Sequence, residues 1–162
     1  MKQIALDLPR TSRWLSTDNS AKFKERLKRV LWAYANHNPK VGYCQGLNRI
    51  ACLALEHLSE EDSFHFLRLI VDHELPPDYY TKDMKGIRAD GQLISEILRE
   101  KCSKLSDHLR SLDVHTEIAA TNWLLIIFID PAVDINVTLR IWDAFLAEGN
   151  KECRKIFAQF LS

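Results

Sequence analysis

Residues 21–48, AKFKERLKRVLWAYANHNPKVGYCQGLN, contain the pattern that decides the fold class. Lysine and arginine occupy one side of the first seventeen residues, and apolar side chains occupy the other. The apolar positions are Phe23, Leu27, Val30, Leu31 and Tyr34. Their spacing predicts an amphipathic helix with one buried face. Pro39 and Gly42 predict that this helix ends before the glycine-containing segment.

The same helical period returns along the rest of the chain, and no useful length of β-alternation interrupts it. Helices are predicted within 47–58, 62–74, 87–101, 105–112, 118–129, 137–149 and 156–160. Ser59 precedes Asp62 by three residues, which is the spacing of a capping box at a helix start. Pro76 and Pro77 are expected to stop the helix that follows. The sequence therefore predicts an all-α fold of about eight helices with short connections.

Two apolar stretches are interpreted as core. Residues 118–129 are apolar nearly all round, so periodicity alone fits a buried helix or a buried strand, and the helical neighbours favour a core helix. On the helix at 137–149, Val137, Ile141, Trp142 and Phe145 are expected to pack on one face. The aromatic pair in DYY, residues 78–80, is expected to pack internally rather than to form a partner surface.

Composition limits the classes of function. The chain has 162 residues, of which 46% are hydrophobic, and 22 basic residues balance 22 acidic ones. A formal net charge of zero gives no overall attraction to nucleic acid or to an anionic membrane. The longest apolar run, 123–129, is far shorter than the ~20 residues of a membrane helix. We therefore expect one globular domain in the cytoplasm, with no transmembrane segment and no nucleic-acid partner.

Metal and disulfide chemistry are not expected. Cys44, Cys52, Cys102 and Cys153 form no C-x-x-C pair, so reduced and mostly buried thiols are the expected state. His73 and Glu74 begin like the zinc-protease motif H-E-x-x-H, but Leu-Pro-Pro follows and breaks the helix that this motif requires.

One segment that is not expected to serve packing is IALDLPRT, residues 4–11. It resembles neither a good helix nor a good strand, and Pro9 has a fixed φ, so we expect a turn that brings Asp7 and Arg10 close together. Taken alone, this Asp-x-x-Arg pattern also fits a surface ion pair of small energetic value.

A second such segment is VGYCQGLN, residues 41–48. It places Gln45 between Gly42 and Gly46, immediately before an apolar helix, so an amide side chain is presented at a helix N-terminus. Glycines on both sides allow another backbone to come close, although a glycine-flanked glutamine is also common in plain turns.

Together these segments resemble the TBC domain, the catalytic module of GTPase-activating proteins for Rab GTPases. IALDLPRT matches its I-x-x-D-x-x-R element, and NPKVGYCQGLN matches its Y-x-Q element. RLKRVLWAYANHNPKVGYCQGLNRIA, LPPDYYTKDMKG and TLRIWDAFLAEGNK also resemble stretches of that domain, in the same order. The similarity covers nearly all of residues 1–162. It differs from a whole TBC domain in that N-terminal helices and the C-terminal end are expected to be missing.

The resemblance implies a role for each site residue. Arg10 would be an arginine finger that neutralises charge on the γ-phosphoryl group, and Gln45 would be a glutamine finger that orients the attacking water. Asp7 would orient Arg10, and Tyr43 would brace the glutamine loop. Three further residues would shape that loop, namely Gly42, Gly46 and Asn48, and the last is expected to fix the loop rather than to touch nucleotide.

The implied partner is a GTP-bound Rab GTPase, which would itself hold GTP and Mg²⁺, so this chain would have no cofactor or metal of its own. It would be a GTPase activator rather than an enzyme with its own substrate, acting in membrane trafficking at endosomal or other endomembrane surfaces. The alternative is a helical module that binds a Rab, or another partner, without accelerating hydrolysis. The presence of both finger residues favours activation, and a truncated domain favours the binding module.

Overall fold

The computed structural model describes residues 2–15 and 20–149, and all regular structure within them is helical. The eight α-helices are α1 (Lys2–Leu15), α2 (Ala21–His37), α3 (Leu47–His57), α4 (Glu60–Arg68), α5 (Lys85–Lys101), α6 (Ser103–Ser111), α7 (Thr116–Leu125) and α8 (Ile135–Glu148). A π-helical segment, Leu69–Glu74, continues α4. The all-α prediction is confirmed, and the helix predicted at 156–160 lies outside the described residues.

The helices fall into two compact units, divided between Asp83 and Met84. In the first unit, α1 packs against α2 and α3, and α2, α3 and α4 pack against one another. In the second unit, α5 packs against both α6 and α7. None of the helices in the described part of the chain is long and apolar enough to cross a membrane.

Helix α2 forms as its sequence predicts. All five apolar positions of its stripe are buried. The Ser20 hydroxyl caps the first turn by accepting a hydrogen bond from the Phe23 amide at 3.1 Å. The predicted cap of α4 is also present, since the Ser59 hydroxyl accepts a hydrogen bond from the Asp62 amide at 3.1 Å. These two helices begin at side-chain caps that can be read from the sequence.

The predicted turn in IALDLPRT is wrong, because residues 4–11 lie inside α1 with Pro9 in the helix interior. Proline removes one helical hydrogen bond and crowds the carbonyl four residues earlier, which here belongs to Ala5. Ile4 and Leu8 are nevertheless buried on one face of α1, and this helix packs against two others. Tertiary burial of an apolar face outweighs the local penalty of the proline.

The predicted core helix at 118–129 is only partly correct. Helix α7 ends at Leu125, and Ile127 and Phe128 then adopt positive φ values of 43° and 60°. The Phe128 amide closes this turn by donating to the Trp123 carbonyl at 3.0 Å. All four residues of 126–129 are buried, whereas Ile118 on α7 is 67% exposed. The chain therefore buries the apolar run mainly in a non-helical turn.

That turn supports α8. The Trp142 indole donates to the Ile127 carbonyl at 3.0 Å, and the Thr138 hydroxyl donates to the Phe128 carbonyl at 3.3 Å. Trp142 is buried, as predicted, with a polar contact that depends on the fold. The predicted packing of Val137 on the same face is wrong, because Val137 is exposed and Thr138 occupies the buried position instead.

Smaller details also differ from the predictions. Leu105 and Leu112 on or after α6 are exposed, so the apolar stripe of that helix is not covered. Helix α5 begins at Lys85, two residues before the predicted stripe. Tyr79 and Tyr80 are both buried, which confirms that the DYY aromatics pack internally.

Candidate functional site

Asp7 is the centre of the candidate site. Its side chain is only 5% exposed, yet both carboxylate oxygens accept hydrogen bonds. Oδ1 accepts from Gln3 Nε2 at 3.2 Å and from Arg10 Nη2 at 3.0 Å, and Oδ2 accepts from the Tyr43 hydroxyl at 2.7 Å. A buried carboxylate is stable when such donors satisfy it. Asp7 therefore joins α1 to the segment that precedes α3.

Arg10 is held at one point and is otherwise exposed. Its side chain is 74% exposed and lies one helical turn after Asp7, so the predicted proximity of the two is confirmed, although on a helix rather than a turn. The guanidinium carries five N–H donors. Among the described residues, Asp7 is the only hydrogen-bond partner of the Arg10 side chain. The remaining donors have no partner among the described residues.

Tyr43 links the two predicted motifs. Burial, followed by the hydrogen bond to Asp7, raises the pKa of the Tyr43 phenol above its ordinary value. The phenol therefore remains a hydrogen-bond donor to the carboxylate at neutral pH. Its bond spans 36 residues of sequence and ties the Y-x-Q element to the helix that carries Arg10.

Gln45 lies in the turn that leads into α3, and its side chain is exposed. Gly42 and Gly46, which flank it, have φ values of 62° and 107°, in the region that favours glycine. A Cβ on Gly42 would meet only the Pro39 carbonyl, at 4.0 Å, so conformation rather than close approach explains this glycine. Within the described residues, the Gln45 amide makes no side-chain hydrogen bond.

Asn48 holds this turn from inside. It is buried in the first turn of α3, and its Oδ1 accepts a hydrogen bond from the Gly46 amide at 2.9 Å. Its Nδ2 donates to the Thr11 hydroxyl at 2.6 Å, and that hydroxyl donates to the Asp7 carbonyl at 2.7 Å. Asn48 thus connects the backbone beside Gln45 to α1.

Sequence reasoning missed Gln3 and Thr11. Both contact Asp7 or its backbone, and the three residues follow one another at intervals of four. Side chains four residues apart lie on one face of a helix. The signal is therefore present in the sequence, but the expectation of a turn at Pro9 conceals it.

A second polar cluster anchors the start of the segment between α2 and α3, which contains Gln45. The Asp72 carboxylate accepts hydrogen bonds from the Tyr34 hydroxyl and from Asn38 Nδ2, both at 2.8 Å. Asn38 follows the last residue of α2, and its Oδ1 accepts from the Val41 amide at 3.3 Å. Burial and the Asp72 bond raise the pKa of Tyr34, which keeps it protonated as a donor. Gln45 thus follows a segment that is anchored to α2.

The cysteines and acidic residues of the described region form no grouping with three or more metal-ligand side chains. Cys44, Cys52 and Cys102 are free thiols, and Cys153 lies outside the described residues. Burial raises the pKa of Cys44 to about 11 and is the first cause of a pKa of about 12 at Cys52. These thiols are poor nucleophiles at neutral pH, because the thiolate is the reactive form. The candidate site therefore consists of Asp7, Arg10, Tyr43 and Gln45.

Comparison with known proteins identifies the family. The family described as the Rab-GTPase-TBC domain matches residues 1–162. The chain is 42% identical over 153 residues to TBC1 domain family member 2A of Ailuropoda melanoleuca and 41% identical to the Homo sapiens protein of the same name. It is 40% identical over 152 residues to TBC1 domain family member 2B of Xenopus tropicalis.

These matches cover 93% of this chain but 16% of each relative, so the chain spans about one sixth of the length of those proteins. The family match, in contrast, extends from residue 1 to residue 162. The chain belongs to the Rab-GTPase-TBC domain family.

Proposed function

We propose that this chain accelerates GTP hydrolysis by a Rab-family GTPase, with Arg10 as an arginine finger and Gln45 as a glutamine finger. One observation carries the proposal. Both side chains are exposed, while the residues beside them are joined through the buried Asp7 carboxylate. Two exposed polar groups on one internally bonded support can enter a partner's site with little loss of conformational entropy on binding.

The environment of Arg10 is compatible with its proposed role as an arginine finger. Hydrolysis of GTP develops negative charge on the oxygens of the transferred phosphoryl group, and a guanidinium can donate two parallel hydrogen bonds to such oxygens. Asp7 holds one nitrogen of Arg10 and leaves other donors unused within the described residues. Asp7 would orient Arg10 through this hydrogen bond. GTP and Mg²⁺ would both be bound by the partner GTPase.

The chemistry asked of Gln45 is the positioning of water. A carboxamide has one acceptor oxygen and one donor nitrogen, so it can accept a hydrogen bond from water and donate to a phosphate oxygen. The Gln45 side chain is exposed, and the glycines on both sides carry the positive φ values of the turn. Tyr43 would brace this turn against Asp7, since its hydroxyl already donates to that carboxylate.

The cellular role follows from the partner. A Rab activator would act in the cytoplasm at endosomal or other endomembrane surfaces, reach those membranes through its partner, and regulate vesicle trafficking. A helical module that binds a Rab without accelerating hydrolysis is the competing function, and a hydrolysis experiment separates the two.

The test is single-turnover GTP hydrolysis by a panel of purified Rab GTPases, with the wild-type chain, Arg10→Ala and Gln45→Ala. Arg29→Ala is the matched control, because Arg29 is also an exposed arginine of the first unit and is paired with the Glu60 carboxylate. The helical circular dichroism of each variant is checked first.

We expect acceleration of one or a few Rabs, loss of on the order of 10³- to 10⁵-fold in Arg10→Ala, and wild-type rates in Arg29→Ala. Gln45→Ala should also lose most of the acceleration. Binding of a GTP-loaded Rab without faster hydrolysis would refute the catalytic proposal and support the binding module.

A further inference from the structure

Thr11 is a buried polar residue that the proposed mechanism does not use. It lies on α1, is 2% exposed, and follows Arg10 directly in sequence. Its hydroxyl donates to the Asp7 carbonyl at 2.7 Å and accepts from Asn48 Nδ2 at 2.6 Å. Because this hydroxyl is buried, water cannot replace either partner without a rearrangement of the site.

The bond to Asn48 continues into the backbone beside Gln45. Asn48 Oδ1 accepts a hydrogen bond from the Gly46 amide at 2.9 Å. That amide belongs to the peptide bond between Gln45 and Gly46, so its orientation affects where the Gln45 side chain begins. Gly46 has a φ of 107° and no side chain to restrict it, so its conformation depends on hydrogen bonds of this kind.

A comparison within the molecule separates the local part of this arrangement from the long-range part. On α7, the Thr121 hydroxyl donates to the Glu117 carbonyl at 2.7 Å, which is the same bond to the fourth preceding residue. Thr121 has no side-chain partner like Asn48 among the described residues. The bond to the preceding turn is thus common to both threonines, and the bond across to the start of α3 is special to Thr11.

We propose that Thr11 is a positioning residue that, through Asn48, fixes the Gln45–Gly46 peptide relative to the helix that carries Arg10. Thr11 and Asn48 form one link between the two fingers, and Asp7 and Tyr43 form the other. Because there are two links, the turn that contains Gln45 cannot rotate freely about a single contact. The part of this proposal that concerns hydrolysis rests on the proposed Rab-activating function.

The test uses the 162-residue chain with Thr11→Val, which keeps the size and branching of the side chain and removes the hydroxyl. Thr11→Ser restores the hydroxyl and serves as the rescue variant. Thr121→Val is the matched control, because it loses a bond of the same type and length on α7. Each substitution is made in the wild-type chain and, for Thr11→Val, also in the Gln45→Ala chain.

The first measurement does not depend on any activity. Amide hydrogen exchange at Gly46 is followed by NMR in the free protein, with buried amides of α2 as internal references. We expect Thr11→Val to raise the exchange rate at Gly46 on the order of tenfold, and Thr11→Ser and Thr121→Val to leave it near the wild-type value. Unchanged exchange at Gly46 in Thr11→Val would overturn the proposed link.

The second measurement is GTP hydrolysis by a responsive Rab. We expect Thr11→Val to lower kcat on the order of 10- to 100-fold with KM for the Rab little changed, because a misplaced group loses transition-state contacts more than binding. In the Gln45→Ala chain the same substitution should add little, since the positioned group is absent.

An equal loss with and without Gln45 would show that Thr11 acts through general stability, and would overturn its positioning role. If the wild-type chain accelerates no Rab, the proposed function fails, and the exchange measurement alone decides whether Thr11 holds the turn.

Discussion

The two units of this molecule use their buried polar groups differently. In the first unit, hydrogen bonds join buried Asp7 to Thr11 and Thr11 to Asn48. Asp7 also bonds to exposed Arg10, and Asn48 bonds to the backbone amide that follows exposed Gln45. In the second unit, buried Thr138 and Trp142 bond to backbone carbonyls of a turn and hold one helix in place. The first network adjoins two exposed polar side chains, whereas the second joins a helix to a turn.

The units also differ in exposed apolar surface. Four large apolar side chains are exposed in the described part of the first unit: Leu6, Trp32, Leu58 and Leu69. Eight are exposed in the described part of the second: Leu105, Leu112, Val114, Ile118, Trp123, Ile135, Val137 and Leu146. The proposed fingers therefore belong to the unit whose apolar residues are better covered.

The largest expected effect concerns Arg10, in the first unit. Arg10→Lys keeps the positive charge but removes the planar fork of donors, so it should lose most of the roughly 10³- to 10⁵-fold contributed by an arginine finger. Single-turnover hydrolysis with a responsive Rab measures the loss. Arg29→Lys is the control and should hydrolyse at the wild-type rate, because Arg29 pairs with Glu60 away from the Asp7 network.

Near-wild-type activity of Arg10→Lys would mean that charge alone suffices at this position. The role assigned to the guanidinium geometry would then be incorrect.

The next largest effect concerns packing in the second unit. Leu124 on α7 is 2% exposed, so Leu124→Ala should lower the free energy of unfolding by about 2–5 kcal/mol. Ile118 lies on the same helix and is 67% exposed, so Ile118→Ala should change it by less than about 0.5 kcal/mol. Urea denaturation followed by circular dichroism compares the two variants.

Equal losses of unfolding free energy in Leu124→Ala and Ile118→Ala would support the sequence-based interpretation that residues 118–129 form a helix buried on all sides. A large cost at Leu124 alone agrees with the exposed face that the structure gives α7.

The fold is predictable where local pattern and tertiary packing agree. Helix α2 has a regular apolar stripe, a serine cap and a terminal asparagine, and all of these serve one helix. Helix α1 escapes prediction because Pro9 carries a strong local signal, and only the burial of Ile4 and Leu8 against other helices outweighs it. The turn at Ile127 and Phe128 escapes prediction because positive φ at two large apolar residues has no signature in sequence.

The site is predictable to a similar extent. Arg10 and Gln45 can be selected through a family resemblance, and the structure adds the hydrogen bonds at or beside them. Thr11 cannot be selected in this way, since its role depends on contact with Asn48, 37 residues away in the sequence. Such contacts arise from the packing of α1 against α3, which no local pattern encodes.

A smaller effect tests the polar centre of the first unit. Tyr43→Phe removes the donor to Asp7 Oδ2 and leaves a buried carboxylate oxygen with one partner fewer, so it should cost about 1–3 kcal/mol of unfolding free energy near pH 7. Urea denaturation at a series of pH values measures this cost.

The pH dependence has a defined sign. The pKa of Tyr43 is raised in the folded protein, so its contribution to stability is present below the unfolded pKa of about 10 and is lost as pH rises above that value. Stability should therefore fall less steeply above pH 10 in Tyr43→Phe than in the wild type. Tyr34 and Cys52 also have raised pKa values and are present in both proteins, so their contributions cancel in the difference. Cys44 also raises the pKa of Tyr43 through charge repulsion, so the difference reports Tyr43 together with this interaction. If the unfolding free energy fell equally steeply with pH in both proteins, the hydrogen bond from Tyr43 to Asp7 would not stabilise this unit.

The smallest expected effect concerns close helix packing in the second unit, at the glycine of RADGQ, residues 88–92. A Cβ on Gly91 would lie 3.1 Å from the Glu117 carbonyl oxygen on α7. Alanine is favoured over glycine by up to about 1 kcal/mol in a helix interior, but here the gain is opposed by a contact with backbone that has little freedom to move. Gly91→Ala should therefore be neutral or destabilising by less than about 1 kcal/mol.

Gly86 provides the matched comparison, since it is half-exposed in the first turn of the same helix. Gly86→Ala should keep part of the helical gain, so the two variants are expected to differ by about 1 kcal/mol, with Gly91→Ala the less stable in urea denaturation. An equal gain in both would mean that α7 yields to the added methyl group. The second unit would then be held by contacts that adapt, in contrast to the fixed polar bonds around Asp7.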